Sequence, residues 1–164
     1  MKKLLLALAA VLGLSFAANA QNIGGRFGGG TAFGAELSYQ QYLAGANRLE
    51  IDFGFSPDLN VNAKGNYFNL AGAYHWVFPI AGDFHWFIGP CINLGFCSNR
   101  DEHNNVHGFG LAAGVQGGAE WCPKNVPIQL SLDGRPLFDF LMTSACRYHG
   151  LGGGVAFSVR YRIH

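Results

Sequence analysis

Apolar and polar residues alternate along most of this chain. The last stretch, 151–164, shows it most plainly. Leu151, Gly153, Val155, Phe157, Val159, Tyr161 and Ile163 share one parity, and Gly152, Gly154, Ala156, Ser158, Arg160 and Arg162 share the other. A period of two over this length marks a half-buried strand. The same pattern predicts strands over 22–29, 32–41, 48–55, 66–77, 84–96, 107–121 and 128–134. Pro90 inside the fifth of these takes away a ladder donor, so a bulge is expected there. The connections 28–31, 43–47, 78–83 and 122–127 are short. The connections 56–65, 97–106 and 135–150 read as long loops, the last with an apolar run, PLFDFLM.

A strand at the end of a chain needs a neighbour, and eight strands let the last pair with the first. The expected fold is all-β, an eight-stranded antiparallel up-and-down transmembrane β-barrel. The long connections after the third, fifth and seventh strands and the short ones after the even strands fit outside loops and periplasmic turns. Alternation alone does not say which face is inside. A soluble β-surface uses many charges, lysine prominent among them, yet beyond residue 20 the only lysines are Lys64 and Lys124, both in connections. Trp76, Trp86 and Trp121 fall at strand ends on the side of the short turns, with Tyr39, Tyr74, Phe84 and Tyr161. That clustering suits an aromatic girdle at a membrane interface. The polar parity is mostly small, as the narrow interior of an eight-stranded barrel demands. It therefore faces the lumen and carries Arg26, Glu36, Arg48, Glu50, Asp52, Glu120, Asp133, Arg160 and Arg162, with Arg135 just beyond its strand. Charges so confined must be paired. Arg26 is expected to meet Glu36, with Arg160 and Arg162 close by; the network plugs the lumen.

Residues 1–20, MKKLLLALAAVLGLSFAANA, have a basic start, an apolar run and a small-x-small end at Ala18-Asn19-Ala20. That is a signal peptide, cleaved near Ala20, which leaves 21–164 as one domain. Of 11 Lys and Arg against 10 Asp and Glu, Lys2 and Lys3 leave with it. The remainder is close to neutral and offers no basic field for nucleic acid.

The signal peptide, the eight alternating strands, the long outside loops and the amphipathic last strand resemble the small eight-stranded outer-membrane β-barrel family, the OmpX-like proteins and the membrane domain of OmpA-like proteins. The resemblance covers 21–164 and rests on pattern rather than a motif. It implies the outer membrane of a Gram-negative bacterium. It also implies contact with outer-membrane lipid and lipopolysaccharide, and assembly by the barrel-assembly machinery. Family members usually end on an aromatic residue; here Phe157 and Tyr161 keep the spacing and the chain ends Ile163-His164.

Chemistry is sparse. Cys97 and Cys146 both fall in outside loops and are the preferred disulfide, while Cys91 and Cys122 lie at different depths and read as unpaired small residues. His103 and His107, near Asp101, Glu102 and His149, fall in or beside loops, so solvated polarity outweighs a metal site there. His75 and His85 read as packed histidines. No His-x-Ser pattern of lipid A deacylases occurs. Ser98, Ser144 and His149 share the outside loops with nothing but composition to unite them. No catalytic residue, metal or cofactor is assigned. The expected role is structural, or surface interaction through loops 56–65, 97–106 and 135–150, with an extracellular partner left open. The alternatives are a lipid-modifying or hydrolytic barrel enzyme and a narrow pore.

Overall fold

A computed structural model describes residues 21–30, 34–43, 45–57, 64–100, 105–142 and 151–163. Eight strands run in chain order: β1 (Gln21–Gly30), β2 (Gly34–Tyr42), β3 (Asn47–Pro57), β4 (Lys64–Ala81), β5 (Phe84–Arg100), β6 (Asn105–Trp121), β7 (Ile128–Met142) and β8 (Leu151–Ile163). Each pairs with the next in antiparallel register, and β1 pairs with β8, so the sheet closes into a barrel. Closure leaves no edge strand among the described residues.

The alternation sorts the side chains by wall. Outward positions keep large apolar groups in the open: Phe53 is 55% exposed, Leu132 58% and Phe157 46%. Their inward neighbours Asp52, Asp133 and Ser158 are buried. Inside, bulk is distributed unevenly. Long polar side chains come from most of the strands, as Arg26, Gln40, Arg48, Glu50, Gln116, Glu120, Arg135 and Arg160, while Ala71, Ala73, Gly89, Cys91, Ala112 and Gly114 on β4 to β6 stay small. Small inward residues beside the long ones let an eight-stranded lumen fill without overpacking. Gly54 shows the tightness: a Cβ there would sit 1.9 Å from Asn69 Oδ1 and 2.8 Å from Glu36 Cγ.

Several strand ends differ from expectation. β7 runs on to Met142 through PLFDFLM. Leu137 is buried while Phe138 and Phe140 are exposed, so the alternation persists through Pro136. Pro136 pairs with Gly153, whose φ of +138° and whose approach to Arg135 suit only glycine. Arg135 is thus a strand residue and not a loop residue. β5 and β6 likewise extend through most of 97–106, since a hairpin needs no apolar face once both strands are paired. β3 and β4 take in 56–57 and 64–65, so Lys64 opens a strand. β4 continues to Ala81 with an irregularity between Pro79 and Ala81, and the turn is only Gly82-Asp83. Gly82 has φ +58° at the first central position, as a primed hairpin turn requires. Pro90 makes no bulge. The β4–β5 register is the same on both sides of it, and the pairing is simply missing opposite Tyr74 and His75. The β5–β6 pair Pro90↔Val115 is kept.

Residues 1–20, 31–33, 44, 58–63, 101–104, 143–150 and 164 lie outside the described residues, as therefore do the leader, His103, Cys146, Ser144 and His149. The side chains of Cys97 and Ser98 do too, which leaves the Cys97–Cys146 pairing outside what is described.

Candidate functional site: the charge-filled lumen

The lumen is bridged from wall to wall. Arg48 on β3 donates to Glu120 on β6 at 2.5 Å. Arg160 on β8 reaches Glu50 on β3 at 3.1 Å and also donates to Ser38 and Ser131, both at 2.9 Å. Arg135 on β7 bonds Asp52 on β3 and lies 3.5 Å from Glu50 and 3.7 Å from Glu36. Arg26 on β1 forks between Glu36 at 2.5 Å and Asp133 at 2.7 Å. Of these, only Arg26–Glu36 joins partners on adjacent strands in register.

Neutral amides knit the ion pairs together. Glu50 accepts from Gln40 at 2.5 Å and from Gln116 at 2.8 Å. Gln116 in turn accepts from Arg135 at 3.1 Å. Gln129 donates to Glu120 at 2.8 Å and accepts from Asn22 at 3.1 Å. Asn69 donates to Glu36 at 2.6 Å. Arg48 also lies over the Phe87 ring, 4.5 Å from its centroid, beside His75. Arg48, Arg160, Glu50, Asp52, Gln116 and Gln129 are each at most 1% exposed. Buried charges persist only when opposite charge and hydrogen bonds replace lost water. Asn22, Gln40, Gln116 and Gln129 carry no charge and so do not stand out in the sequence. Their shared parity with the charged residues was the signal.

The structure thus brings together Arg26, Glu36, Arg48, Glu50, Asp52, Glu120, Asp133, Arg135 and Arg160. Arg162 does not join them. Its guanidinium donates to the carbonyls of Pro123 and Val126 and so holds the β6–β7 turn. It stands at the barrel mouth, where the turn folds across the end of β8 and offers carbonyls nearer than any lumen carboxylate. The described lumen holds four guanidiniums, of Arg26, Arg48, Arg135 and Arg160, and five carboxyls.

Outside the barrel, Trp76, Phe84, Trp86, Trp121 and Tyr161 are exposed, while Tyr39 and Tyr74 are half-buried. Trp86 stacks on Phe78 and Phe84 on Trp121, with centroids 4.6 and 6.3 Å apart. A second row went unnoticed in the sequence. Phe55, Phe68, Phe96 and Phe109 are register partners on four successive strands, toward the other end. Phe55–Phe68 and Phe96–Phe109 make ring contacts at 5.1 and 5.4 Å.

Of the four cysteines, Cys91 and Cys122 are free. Cys91 packs with Ala73, Ala112 and Leu137. Cys122 sits in the β6–β7 turn, where burial and then the neighbouring Glu120 carboxylate push its thiol up to about 11.

No protein-family model matches the sequence, and no curated protein does either. Solved structures do match. Neisserial surface protein A superposes with a TM-score of 0.65 at 12% identity, over 87% of this chain and 94% of that one. The N-terminal β-barrel domain of Pseudomonas aeruginosa OprF gives 0.61 at 18% identity, over 88% and 98%. A major outer membrane protein from Thermus thermophilus gives 0.64 at 13% identity, over 89% and 100%. The fold is that of the small eight-stranded outer-membrane barrels, the OmpX-like and OmpA-like architecture that the strand pattern resembles.

Proposed function

We propose that this chain is an integral outer-membrane β-barrel whose lumen is plugged by its own side chains. Its role is structural or one of surface interaction, exercised through the connections β3–β4, β5–β6 and β7–β8. The observation that carries the reading is the inverted barrel: apolar side chains exposed all round, and ion pairs crossing the inside. A water-facing surface with Phe27, Phe53, Leu132, Phe138 and Val155 each at least 55% exposed would aggregate. In lipid the same surface is solvated.

The spacing of the aromatic rows supports this. Phe68 to Phe78 on β4 and Trp86 to Phe96 on β5 are each ten residues apart. At about 3.3 Å per residue that is ~33 Å along the strand. With a tilt of about 40°, the rise across the membrane is ~25 Å, the height of an outer-membrane apolar band. Lipid and lipopolysaccharide are then the partners of the outer wall, and the barrel-assembly machinery is the partner during biogenesis. Arg48–Glu120, Arg160–Glu50 and Arg135–Asp52 each cross the lumen, which favours a plug over a pore.

Two measurements test the proposal. The protein should migrate faster in SDS unheated than boiled, and it should give no ion-conducting steps in a planar bilayer. Identical migration together with solubility without detergent refutes the membrane reading; steady conductance refutes the plug.

A further inference from the structure

One cluster of side chains takes no part in the lumen network beyond Glu120 and sits at its short-turn mouth. His85 on β5 and Glu120 on β6 are register partners. Cys122 follows two residues after Glu120. Its N–H donates to the carbonyl of Asp83 at 2.9 Å, which ties the β6–β7 turn to the β4–β5 turn. The ladder therefore runs one step past the end of β6 and carries Cys122 to the side of His85. The ligating atoms of His85, Glu120 and Cys122 all lie within 4.8 Å of one another.

The donor atoms are arranged to be shared. Glu120 is held from behind: its Oε2 accepts from Arg48 and Gln129, which fixes the carboxylate and turns Oε1 toward Cys122 Sγ, 3.8 Å away. His85 Nδ1 is buried and has no hydrogen-bond partner among the described residues. A buried ring nitrogen without a partner is costly unless something else satisfies it.

We propose that His85, Glu120 and Cys122 form a binding site for a divalent transition-metal ion of the zinc type, open to the short-turn side of the barrel. One nitrogen, one oxygen and one sulfur donor suit zinc, which takes such ligands at about 2.0–2.3 Å and in tetrahedral array. Tetrahedral ligands at those lengths stand ~3.5 Å apart, so closure needs a modest rotation of the side chains, Cys122 being on a turn. Binding converts the Cys122 thiol to a metal-bound thiolate, and its proton passes to solvent. Three protein donors leave the fourth position to water. The carboxylate bonds from Arg48 and Gln129 act as the outer contacts that orient a ligand. The site stands independently of whether the lumen is plugged or the barrel sits in a membrane.

The test uses the folded chain in detergent micelles, titrated with cobalt(II) chloride. The expected result is a thiolate-to-cobalt charge-transfer band with intense visible absorption of four-coordinate cobalt, both displaced by zinc. Cys122→Ser should abolish the charge-transfer band. His85→Ala should weaken cobalt binding at least about tenfold, with heat-shifted gel migration unchanged in both variants. A spectrum no different from cobalt in buffer overturns the proposal, and so does a charge-transfer band that survives Cys122→Ser, since Cys91, Cys97 and Cys146 would then hold the ion. If Cys122→Ser does not fold, alkylation of the unmodified chain decides. Zinc should protect the peptide carrying Cys122, and equal labelling with and without zinc overturns the site.

Discussion

Replacing Glu50 with alanine probes the centre of the lumen. Glu50 is 1% exposed and accepts from Arg160, Gln40 and Gln116. Its removal leaves the Arg160 guanidinium, itself 1% exposed, with only the Ser38 and Ser131 hydroxyls. Gln40 loses its acceptor, whereas Gln116 keeps Asp133 at 3.3 Å and Arg135 keeps Asp52. Breaking a buried pair from one side costs about 3–5 kcal/mol, because the remaining charge is uncompensated. Glu50→Ala should therefore lose that much, toward the upper end given the two orphaned donors. Arg160→Met should lose less, since Glu50 retains two amide donors and the Arg135 guanidinium at 3.5 Å. In Glu50→Ala/Arg160→Met the orphaned charge is gone, and the loss should fall short of the sum by about 1–3 kcal/mol. Reversible urea unfolding in lipid vesicles, followed by tryptophan fluorescence and by the heat-shifted gel band, measures each corner of the cycle. Additivity within about 0.5 kcal/mol would refute the pairing and with it the lumen chemistry described above.

Glu36→Ala should cost less than Glu50→Ala, about 1–3 kcal/mol, because the Glu36 side chain is 13% exposed and Arg26 keeps Asp133; the same urea series reads it. Leu132→Arg, on the outer face, should destabilise the barrel in vesicles by about 2–4 kcal/mol, whereas an unchanged midpoint would place that face in water. Gly54→Val should prevent the heat-shifted form from appearing, as the new side chain meets Asn69 and Glu36. In chelator-treated protein, Cys122 alkylation should be slow at pH 8 and rise steeply toward about 11, because only the thiolate reacts; a rate already at its plateau at pH 8 would contradict the crowding of Cys122 against Glu120.

The number of strands and their inward parity were legible because a period of two is local: each residue announces its own wall. Strand ends were not. PLFDFLM looks like a loop because Pro136 and a run of apolar residues hide an alternation that Leu137 and Phe138 keep. CSNRDEHNNV looks like a loop because paired hairpin arms beyond the apolar wall need no apolar face. The members of the charge network were legible from parity, but their partners were not. Pairing by neighbouring strands gives Arg26–Glu36 and fails for Arg48–Glu120 and Arg160–Glu50, which meet across a lumen whose width depends on how all eight strands tilt and stagger. Arg162 shows the same limit at the mouth, where a turn six residues long supplies carbonyls that no strand pattern reveals. Cys122 and His85 are 37 positions apart, and only the continued ladder past Trp121 brings them together.

In the proposed arrangement the apolar wall faces lipid and the charged wall is sealed from water. Spin labels placed singly at Ile51, Phe53, Leu132 and Phe157, in a cysteine-free chain folded into vesicles, test it most directly. All four labels are expected to be relaxed strongly by oxygen, which concentrates in lipid, and hardly at all by a water-soluble nickel chelate. Labels relaxed by nickel and not by oxygen would contradict it.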